Sequence, residues 1–422
     1  MSVLPSTRIY EGTRIPSPVP TILEVDPEKH RLEDILRVNF GPNHPSTHGV
    51  LRLVVDLDGE TVAGIRAVIG YLHTGFEKNM EHKSWWKSVT YAPRIDYVSF
   101  HANELLYVLA IEQLLGLEVP RRAVWARMAL AELNRIHSHL VWLGTSALEL
   151  GAISLFWYCF DDRDQILDLF EMAGGTRMHT RYVQVGGIAE DLPPGFVPEA
   201  RKFCESMPKS VDEYEAILDR NAIWLERTKG VGLLSADDAL ALAQSGPMLR
   251  ASGVDWDLRR NMPYLAYDQV DFEVPVYGGG DVYDRYRVRL EEMGQSNRIL
   301  EQALDRLARL EGAPINVDDP RVILPPKALA MSDMESMIHH FKQVMEGIKP
   351  PAGEAYVGIE NPKGELGYYF VSDGTAKPVR WRIRPPSFIN LASLPTMCEG
   401  ALLSDVIAIN ASVDIVMGEV DR

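Results

Sequence analysis

Two histidines lie four residues apart in the segment NFGPNHPSTHGV, at residues 39–50. On a helix this spacing would place His44 and His48 on one face, but Pro45 between them and Gly49 after them disfavour a regular helix. The segment is therefore predicted to be a tight loop that leads into a strand. Three interpretations stay open for it: a structural turn, a proton-handling site or part of a metal site. The metal interpretation needs a third ligand, which the local sequence does not provide.

A second group of chemically versatile side chains lies at residues 89–104, in the segment VTYAPRIDYVSFHANE. Arg94, Asp96 and Tyr97 are crowded into the turn before a predicted helix. A carboxylate at this position can simply cap the helix that follows, and the tyrosine can be an ordinary core residue. Taken alone, the segment favours a capped helix over a reactive site.

Glu149 lies in a largely apolar window at residues 140–160, LVWLGTSALELGAISLFWYCF. A buried carboxylate is costly to keep charged unless it has a partner. Glu149 is therefore either on an exposed helix face or a proton-carrying group with a shifted pKa. The window is long enough to cross a bilayer, but Gly144 and Gly151 interrupt it. A buried helix followed by a break is predicted, and no transmembrane helix.

The composition of the 422 residues excludes several classes of function. A net charge of −16 and a pI near 5.2 argue against binding to nucleic acid. The three cysteines form no CxxC pair, which excludes a four-thiolate iron–sulfur cluster within the chain and is typical of a reducing, cytoplasmic compartment. No GxGxxG and no GxxxxGK[ST] motif occurs, which argues against nucleotide binding. The first thirty residues contain no apolar run, so no targeting segment is expected.

The elements that would position these residues follow from the hydrophobic pattern. Alternation of apolar and polar residues predicts strands at about 34–72, with a hairpin at Asp58-Gly59, and an antiparallel sheet at about 353–384, with a turn at NPKG. Helical periodicity dominates residues 96–230 and residues 283–312. Strands, then a large helical body, then strands again define an α+β fold rather than a β/α alternation.

Helix boundaries and a division of the chain are also predicted. Helices are expected to stop at Gly116, Gly144 and Gly174-Gly175, to start at the acids of DDRDQILDLF, and to start again after Pro208. The predicted regions are an extended or mobile N-terminal arm (1–33), an N-terminal α/β region with the histidine loop (34–95), a helical body (96–350) and a C-terminal β-containing region (351–422).

Seven longer motifs, in chain order, carry a resemblance from about residue 34 to the end: NFGPNHPSTHGVLRL, GYLHTGFEKNMEHKSW, PRIDYVSF, RYVQVGG, ELGYYFVSDG, RPPSFINLASLP and MGEVDR. Together they resemble the D-type subunit family of NADH-quinone oxidoreductase, the respiratory complex I family that carries much of the quinone site. The family is related to the large subunit of nickel-iron hydrogenases, which hold nickel with two pairs of cysteines. The run that matches the first pair here is Arg-Ile-Asp-Tyr-Val-Ser, and VDIVMGEVDR near the C-terminus also lacks cysteine. The resemblance therefore implies a hydrogenase-like fold without a nickel site, in which the vacated position lines a quinone cavity.

The resemblance also implies roles for individual residues. His48 and Tyr97 match the two residues that approach the quinone headgroup, and a histidine and a phenol suit a reaction in which each carbonyl oxygen gains a proton. Glu149 matches an acid that supports the loop histidine; the family has Asp there, so the side chain is one methylene longer. The cavity loops would include the residues His44, Thr47 and Asp96. The mitochondrial members carry Arg where this chain has Thr74, so the role of that arginine cannot be transferred.

Electron supply, partners and location are implied in the same way. Arg94 and His179 match residues close to the terminal iron–sulfur cluster, which a neighbouring small subunit holds. The expected partners are that small subunit, the C-type subunit of the peripheral arm and the membrane subunit at the quinone entrance. The substrate would be ubiquinone or menaquinone, and the complex would be a proton pump. The chain would sit peripherally on the cytoplasmic side of the cell membrane and bind no cofactor alone. A metal-containing hydrogenase and an inactive scaffold are the alternatives. The missing thiols oppose the first, and the presence of His48, Tyr97 and an acid at position 149 opposes the second.

Overall fold

Residues 22–422 are described by the computed structural model. Within this range, eight strands form three antiparallel sheets: β1 Ile35–Phe40, β2 Arg52–Asp58 and β3 Thr61–Val68; β4 Val183–Gln184 and β5 Gly187–Ile188; β6 Gly353–Asn361, β7 Gly364–Ser372 and β8 Arg380–Arg384. Residues 1–21 of the predicted arm lie outside the described residues. In the rest of that arm, Leu23 exchanges two backbone hydrogen bonds with Ile65 of β3.

The helices described are α1 Phe76–Glu81, α2 Trp85–Ser88, α3 Phe100–Leu115, α4 Arg121–Glu149, α5 Ile153–Gly174, α6 Phe196–Leu218, α7 Ala222–Thr228, α8 Ala236–Ala241, α9 Pro247–Ala251, α10 Leu258–Asn261, α11 Val282–Arg309, α12 Lys327–Ser332, α13 Met334–Glu346, α14 Pro386–Leu391, α15 Leu394–Cys398, α16 Leu403–Val413 and α17 Met417–Asp421. The order is strands, a large helical body and strands again, followed by short C-terminal helices. The predicted α+β fold is confirmed, with its N-terminal antiparallel strands and its small C-terminal sheet. The division into four regions stays a prediction.

Three apolar clusters hold these elements together. The largest lies between the long helices α4, α5, α6 and α11, and a second lies between α3 and the C-terminal sheet. In the third, the N-terminal sheet packs against α14, α15, α16 and α17. The two ends of the described chain therefore meet, and the N-terminal histidine loop lies against C-terminal helices. None of the described helices combines the length and the apolar character needed to cross a bilayer.

The predicted stop of a helix at Gly144 is wrong, because α4 continues to Glu149. A Cβ atom on Gly144 would lie 3.3 Å from Cβ of Cys159 in α5, so the glycine serves close packing of two helices. The chain breaks at Gly151, as predicted, with φ at 91°. Helix α5 then begins at Ile153, well before the acids that were expected to start it.

The predicted helix start after Pro208 is also wrong, because Pro208 lies inside α6. A proline in a helix removes the hydrogen bond to the carbonyl four residues earlier, here that of Cys204. The side-chain amide of Asn297 in α11 donates to this carbonyl oxygen at 3.1 Å. A neighbouring helix thus satisfies the group that the proline leaves unpaired.

Candidate functional site

The histidine loop between β1 and β2 is a 3₁₀ turn, Pro45–Thr47, that its own side chains fix. Nδ1 of His44 accepts a hydrogen bond from the backbone N–H of Ser46 at 3.1 Å, and the His44 ring packs on Phe40 with centroids 4.3 Å apart. The Thr47 hydroxyl donates to the carbonyl oxygen of His44 at 2.9 Å. His44 and Thr47 therefore shape the loop, and neither is part of the cavity wall described below.

The loop presents His48 at its end. His48 has a left-handed backbone, with φ at 54°, and Gly49 follows with φ at 76°. Such a conformation is uncommon for residues other than glycine. From the other side, Nδ2 of Asn410 in α16 donates to the carbonyl oxygen of Ser46 at 2.6 Å. The loop is thus held from within and by the C-terminal part of the chain.

His48, Tyr97 and Glu149 line a single cavity of about 150 Å³. They come from three separate places: the histidine loop, the turn before α3 and the last residue of α4. The remaining wall is mostly apolar and contains one further acid; it consists of Val98, Val141, Trp142, Thr145, Ser146, Ala411, Asp414, Ile415 and Val416. An internal cavity of roughly this volume holds one six-membered ring. Three larger clefts in the described residues, of about 480, 430 and 510 Å³, contain none of the predicted site residues.

A buried turn positions Tyr97 in the cavity wall. Oδ1 of Asp96 accepts hydrogen bonds from the backbone N–H groups of Val98 and Ser99, both at 3.1 Å. The side chain of Asp96 is fully buried and lies outside the cavity wall. Asp96 therefore organises the turn that carries the tyrosine, but it does not cap α3, whose N-cap residue Ser99 has no side-chain capping hydrogen bond.

The C-terminal helix α17 packs directly on this turn, and Gly418 makes the close approach possible. A Cβ atom at Gly418 would lie 2.5 Å from the carbonyl oxygen of Ile95 and 3.2 Å from Cδ1 of Tyr97. The motif MGEVDR thus contributes to the site through Gly418, whose lack of a side chain lets α17 pack on the turn. Every larger residue there would push against the turn that positions Tyr97.

Burial keeps the phenol of Tyr97 protonated and the imidazole of His48 neutral. Desolvation raises the pKa of Tyr97, with the charge of Asp96 adding to it and that of Lys363 opposing it. Desolvation lowers the pKa of His48, opposed by Asp414 and reinforced by Lys363. At neutral pH both side chains can donate a hydrogen bond into the cavity.

Glu149 ends α4, where a negative charge is unfavourable because it faces the negative end of the helix dipole. Burial raises the pKa of Glu149 to about 7, and the neighbouring Ser46 partly opposes this. Its Oε2 atom is buried and has no hydrogen-bond partner in the described residues. Within residues 22–422 no hydrogen bond joins Glu149 to His48, although both line the cavity. The carboxylate whose charge raises the pKa of His48 is Asp414.

Sequence reasoning missed Asp414 and Lys363. Asp414 follows α16 with φ at 55° and lines the cavity. Lys363 belongs to the NPKG turn between β6 and β7, and its side chain is fully buried. Lysine in a hairpin turn normally extends into water, so no local signal marks this one as buried.

The structure brings Arg94 and His179 together. Burial lowers the pKa of His179, and the positive charge of Arg94 lowers it further. His179 has a left-handed backbone with φ at 56°, and its ring lies 5.5 Å from that of Phe100. Glu104 fixes the following segment by accepting the backbone N–H of Arg181 at 2.6 Å. Arg94 lies close to Tyr97 in the chain, and neither Arg94 nor His179 belongs to the cavity wall.

The donors needed for a metal centre are not assembled in the part of the chain that the structure describes. Among residues 22–422, no group of three or more His, Cys, Asp or Glu side chains could hold a metal ion. Cys159, Cys204 and Cys398 are buried, and burial raises the pKa of each thiol. Buried, protonated thiols are poor metal ligands.

Sequence comparisons identify the family. Residues 149–422 match the family described as "Respiratory-chain NADH dehydrogenase, 49 Kd subunit". The chain belongs to this family. It is 51% identical to the second D-type subunit of NADH-quinone oxidoreductase from Chloroflexus aurantiacus over 408 residues, which cover 96% of this chain and 99% of the relative. It is 50% identical to the D-type subunit of NADH-quinone oxidoreductase from Thermus thermophilus over 402 residues, which cover 95% of this chain and 98% of the relative. The prediction of a component of a multi-subunit NADH-quinone oxidoreductase is confirmed.

Proposed function

We propose that the cavity lined by His48, Tyr97 and Glu149 receives the headgroup of a quinone, which the assembled enzyme reduces there to quinol. The observation that supports this most strongly is the convergence of a histidine and a tyrosine on one ring-sized, mostly apolar cavity. The names of the relatives, which contain the words quinone oxidoreductase, agree with this assignment.

Reduction of a quinone takes up two electrons and two protons, one proton on each carbonyl oxygen. The N–H of His48 and the O–H of Tyr97 stabilise the negative charge that develops on these oxygens. That charge also raises the proton affinity of both oxygens until each takes a proton, one from the phenol of Tyr97 and one from His48, whose ring takes up a replacement proton on its other nitrogen. Glu149, an acid of the cavity wall, returns protons to the donors. Glu149 is suited to this because a carboxyl group with a pKa of about 7 exchanges protons at neutral pH.

The electrons come from an iron–sulfur cluster held by a neighbouring small subunit. Arg94 and His179 lie side by side near the cavity turn, and we assign them to the surface that faces this cluster. A cation there stabilises the reduced state of the cluster, and a histidine beside it couples its reduction to proton uptake. The C-type subunit of the peripheral arm and the membrane subunit at the quinone entrance complete the surroundings of the cavity. The complex is a proton pump on the cytoplasmic side of the cell membrane, to which this chain binds peripherally, and its substrate is ubiquinone or menaquinone.

Photoaffinity labelling of the assembled complex tests the assignment. A quinone with a photoreactive group on its ring should label the cavity wall, at residues 48, 97–98, 141–149 and 411–416, and excess native quinone should prevent this. Labelling of this chain only at other surfaces would contradict the proposal.

A further inference from the structure

A fully buried lysine lies behind the two proposed proton donors. Nζ of Lys363 donates to the hydroxyl oxygen of Ser138 at 2.9 Å and lies 3.5 Å from Oδ2 of Asp96 and 3.9 Å from Oδ2 of Asp414. A buried ammonium is unfavourable unless several polar groups surround it. Here two carboxylates and a hydroxyl group, from three different parts of the chain, provide that environment.

The backbone of the hairpin turn is built to direct this side chain inward. The carbonyl oxygen of Lys363 accepts a hydrogen bond from Nδ2 of Asn390 at 2.9 Å. The neighbouring Gly364, with φ at 131°, packs against Gly246 so closely that a Cβ on Gly246 would lie 2.4 Å from Cα of Gly364. The turn is therefore clamped between α14 and the start of α9, and the lysine cannot swing into water without breaking these contacts.

Each carboxylate near Lys363 is connected to one of the proposed donors. Asp96 precedes Tyr97 and organises its turn. Asp414 lines the same cavity as His48. The lysine thus lies behind both donors, at the point where their supporting carboxylates meet.

We propose that Lys363 is a positioning residue for quinone reduction: its ammonium fixes the carboxylates of Asp96 and Asp414 behind the two proton donors and provides a positive charge that both donors sense. This inference rests on the quinone site proposed above. Lys363 is not part of the cavity wall, so it acts through the groups around it.

The charges around Lys363 decide the direction of its effect. The titratable groups that face it or respond to its charge are Asp96, Asp414, Glu419, His48, Tyr97 and His137. Burial and the charge of Asp96 raise the pKa of Glu419, which favours its protonated form. Asp96 and Asp414 are the acids whose carboxylate oxygens lie within 4 Å of the ammonium in the described residues. The charge of Lys363 lowers the pKa of both His48 and Tyr97. Without it the phenol of Tyr97 holds its proton more tightly, so transfer of that proton to the quinone slows and the rate at neutral pH falls.

The test compares Lys363→Met and Lys363→Arg in the assembled complex, with Lys209→Met as a control at a side chain that is 84% exposed. Quinone reduction is measured as a function of pH, and electron entry is measured with a water-soluble artificial acceptor. Lys363→Met should lower quinone turnover on the order of 10-fold and move the alkaline limb of the pH profile to higher pH. Electron entry should be unchanged, and Lys363→Arg should restore the position of the limb.

A second variant covers the case in which Lys363→Met does not assemble. In Asp414→Asn the ammonium of Lys363 loses one of its two carboxylates, so its positive charge acts more strongly on the pKa of Tyr97 and the alkaline limb should move to lower pH. A reduced rate with an unshifted limb, in either variant, would overturn the proposal. Tyr97→Phe distinguishes failure of the lysine proposal from failure of the quinone-site proposal. If it impairs quinone turnover while the Lys363 variants keep a normal profile, only the lysine proposal fails; if Tyr97→Phe has no effect, the quinone site itself fails.

Discussion

The side-chain amide of Asn410 donates to the carbonyl oxygen of Ser46 at 2.6 Å and so joins α16 to the histidine loop. Ser46 is buried, so removal of the amide would leave its carbonyl oxygen without a partner at a cost of about 1–3 kcal/mol. Because the loop also carries His48, its position in the cavity depends on a residue near the C-terminus.

We therefore expect Asn410→Ala to impair quinone reduction more than electron entry into the complex. The unfolding temperature of the full-length chain should also fall. Asn79→Ala is the matched control, since its amide makes a similar bond, 2.9 Å to the carbonyl oxygen of Thr74, at an exposed site. Equal effects of the two variants would show that the loop is held in place without Asn410.

Tyr97→Phe tests the proposed donor directly. Phenylalanine keeps the ring that packs against Gly418 but removes the O–H of this residue of the cavity wall. Loss of a general acid commonly costs on the order of 100-fold in rate. Quinone turnover in the assembled complex should fall by about this factor, while reduction of an artificial acceptor should be unaffected. Quinone turnover at the parental rate would remove Tyr97 from the proposed chemistry.

Much of the fold could be predicted because its signals are local. Alternation at residues 34–72 and 353–384 predicted the strands of both three-stranded sheets. The predicted hairpin at Asp58-Gly59 is confirmed, and Gly59 has the left-handed φ, 63°, that such a turn needs. The errors at Gly144 and Pro208 have a different origin. Glycine and proline both commonly end a helix. Here α5 packs so closely on Gly144 that a side chain would be crowded, and Asn297 of α11 satisfies the carbonyl that Pro208 leaves unpaired.

Part of the site could also be predicted, because some of its residues carry local signals in the sequence. His48 and Tyr97 stand in recognisable motifs, Glu149 is an acid in an apolar window, and the structure brings all three to one cavity. Asp414 and Lys363 lie at the end of a helix and in a hairpin turn, where charged residues are usually solvated. Their burial depends on contacts between segments far apart in the chain, which the local pattern does not contain.

His179→Ala should change the redox behaviour of the neighbouring cluster and leave the quinone chemistry largely intact. The neutral imidazole, next to the cation of Arg94, is proposed to take up a proton when the cluster is reduced. Without it, the midpoint potential of the cluster should depend less on pH, as measured by a redox titration followed by electron paramagnetic resonance. His82→Ala, at an exposed histidine, is the control and should keep the parental slope. An unchanged slope in His179→Ala would place this histidine away from the cluster.

The raised pKa of Glu149 makes a prediction about stability as well as activity. The pKa is about 7 in the folded chain, against an ordinary value of 4.5. Between these two values the folded chain binds a proton that the unfolded chain has released, so stability falls as pH rises through this window. Glutamine has no such proton. Glu149→Gln should therefore gain stability relative to the parent as pH rises from about 4.5 to 7, and this gain should stay constant above pH 7.

Thermal unfolding of the full-length chain at a series of pH values measures this difference. Glu199→Gln, at a half-exposed acid paired with Lys202, is the control and should show no such rise. In the assembled complex Glu149→Gln should also slow quinone reduction, and Glu149→Asp should slow it less. Because Glu149 and His48 are proposed to act on the same protons, adding Glu149→Gln to His48→Ala should cost little beyond His48→Ala alone. Parallel stability curves together with fully additive losses of turnover would make Glu149 an ordinary acid at the end of α4.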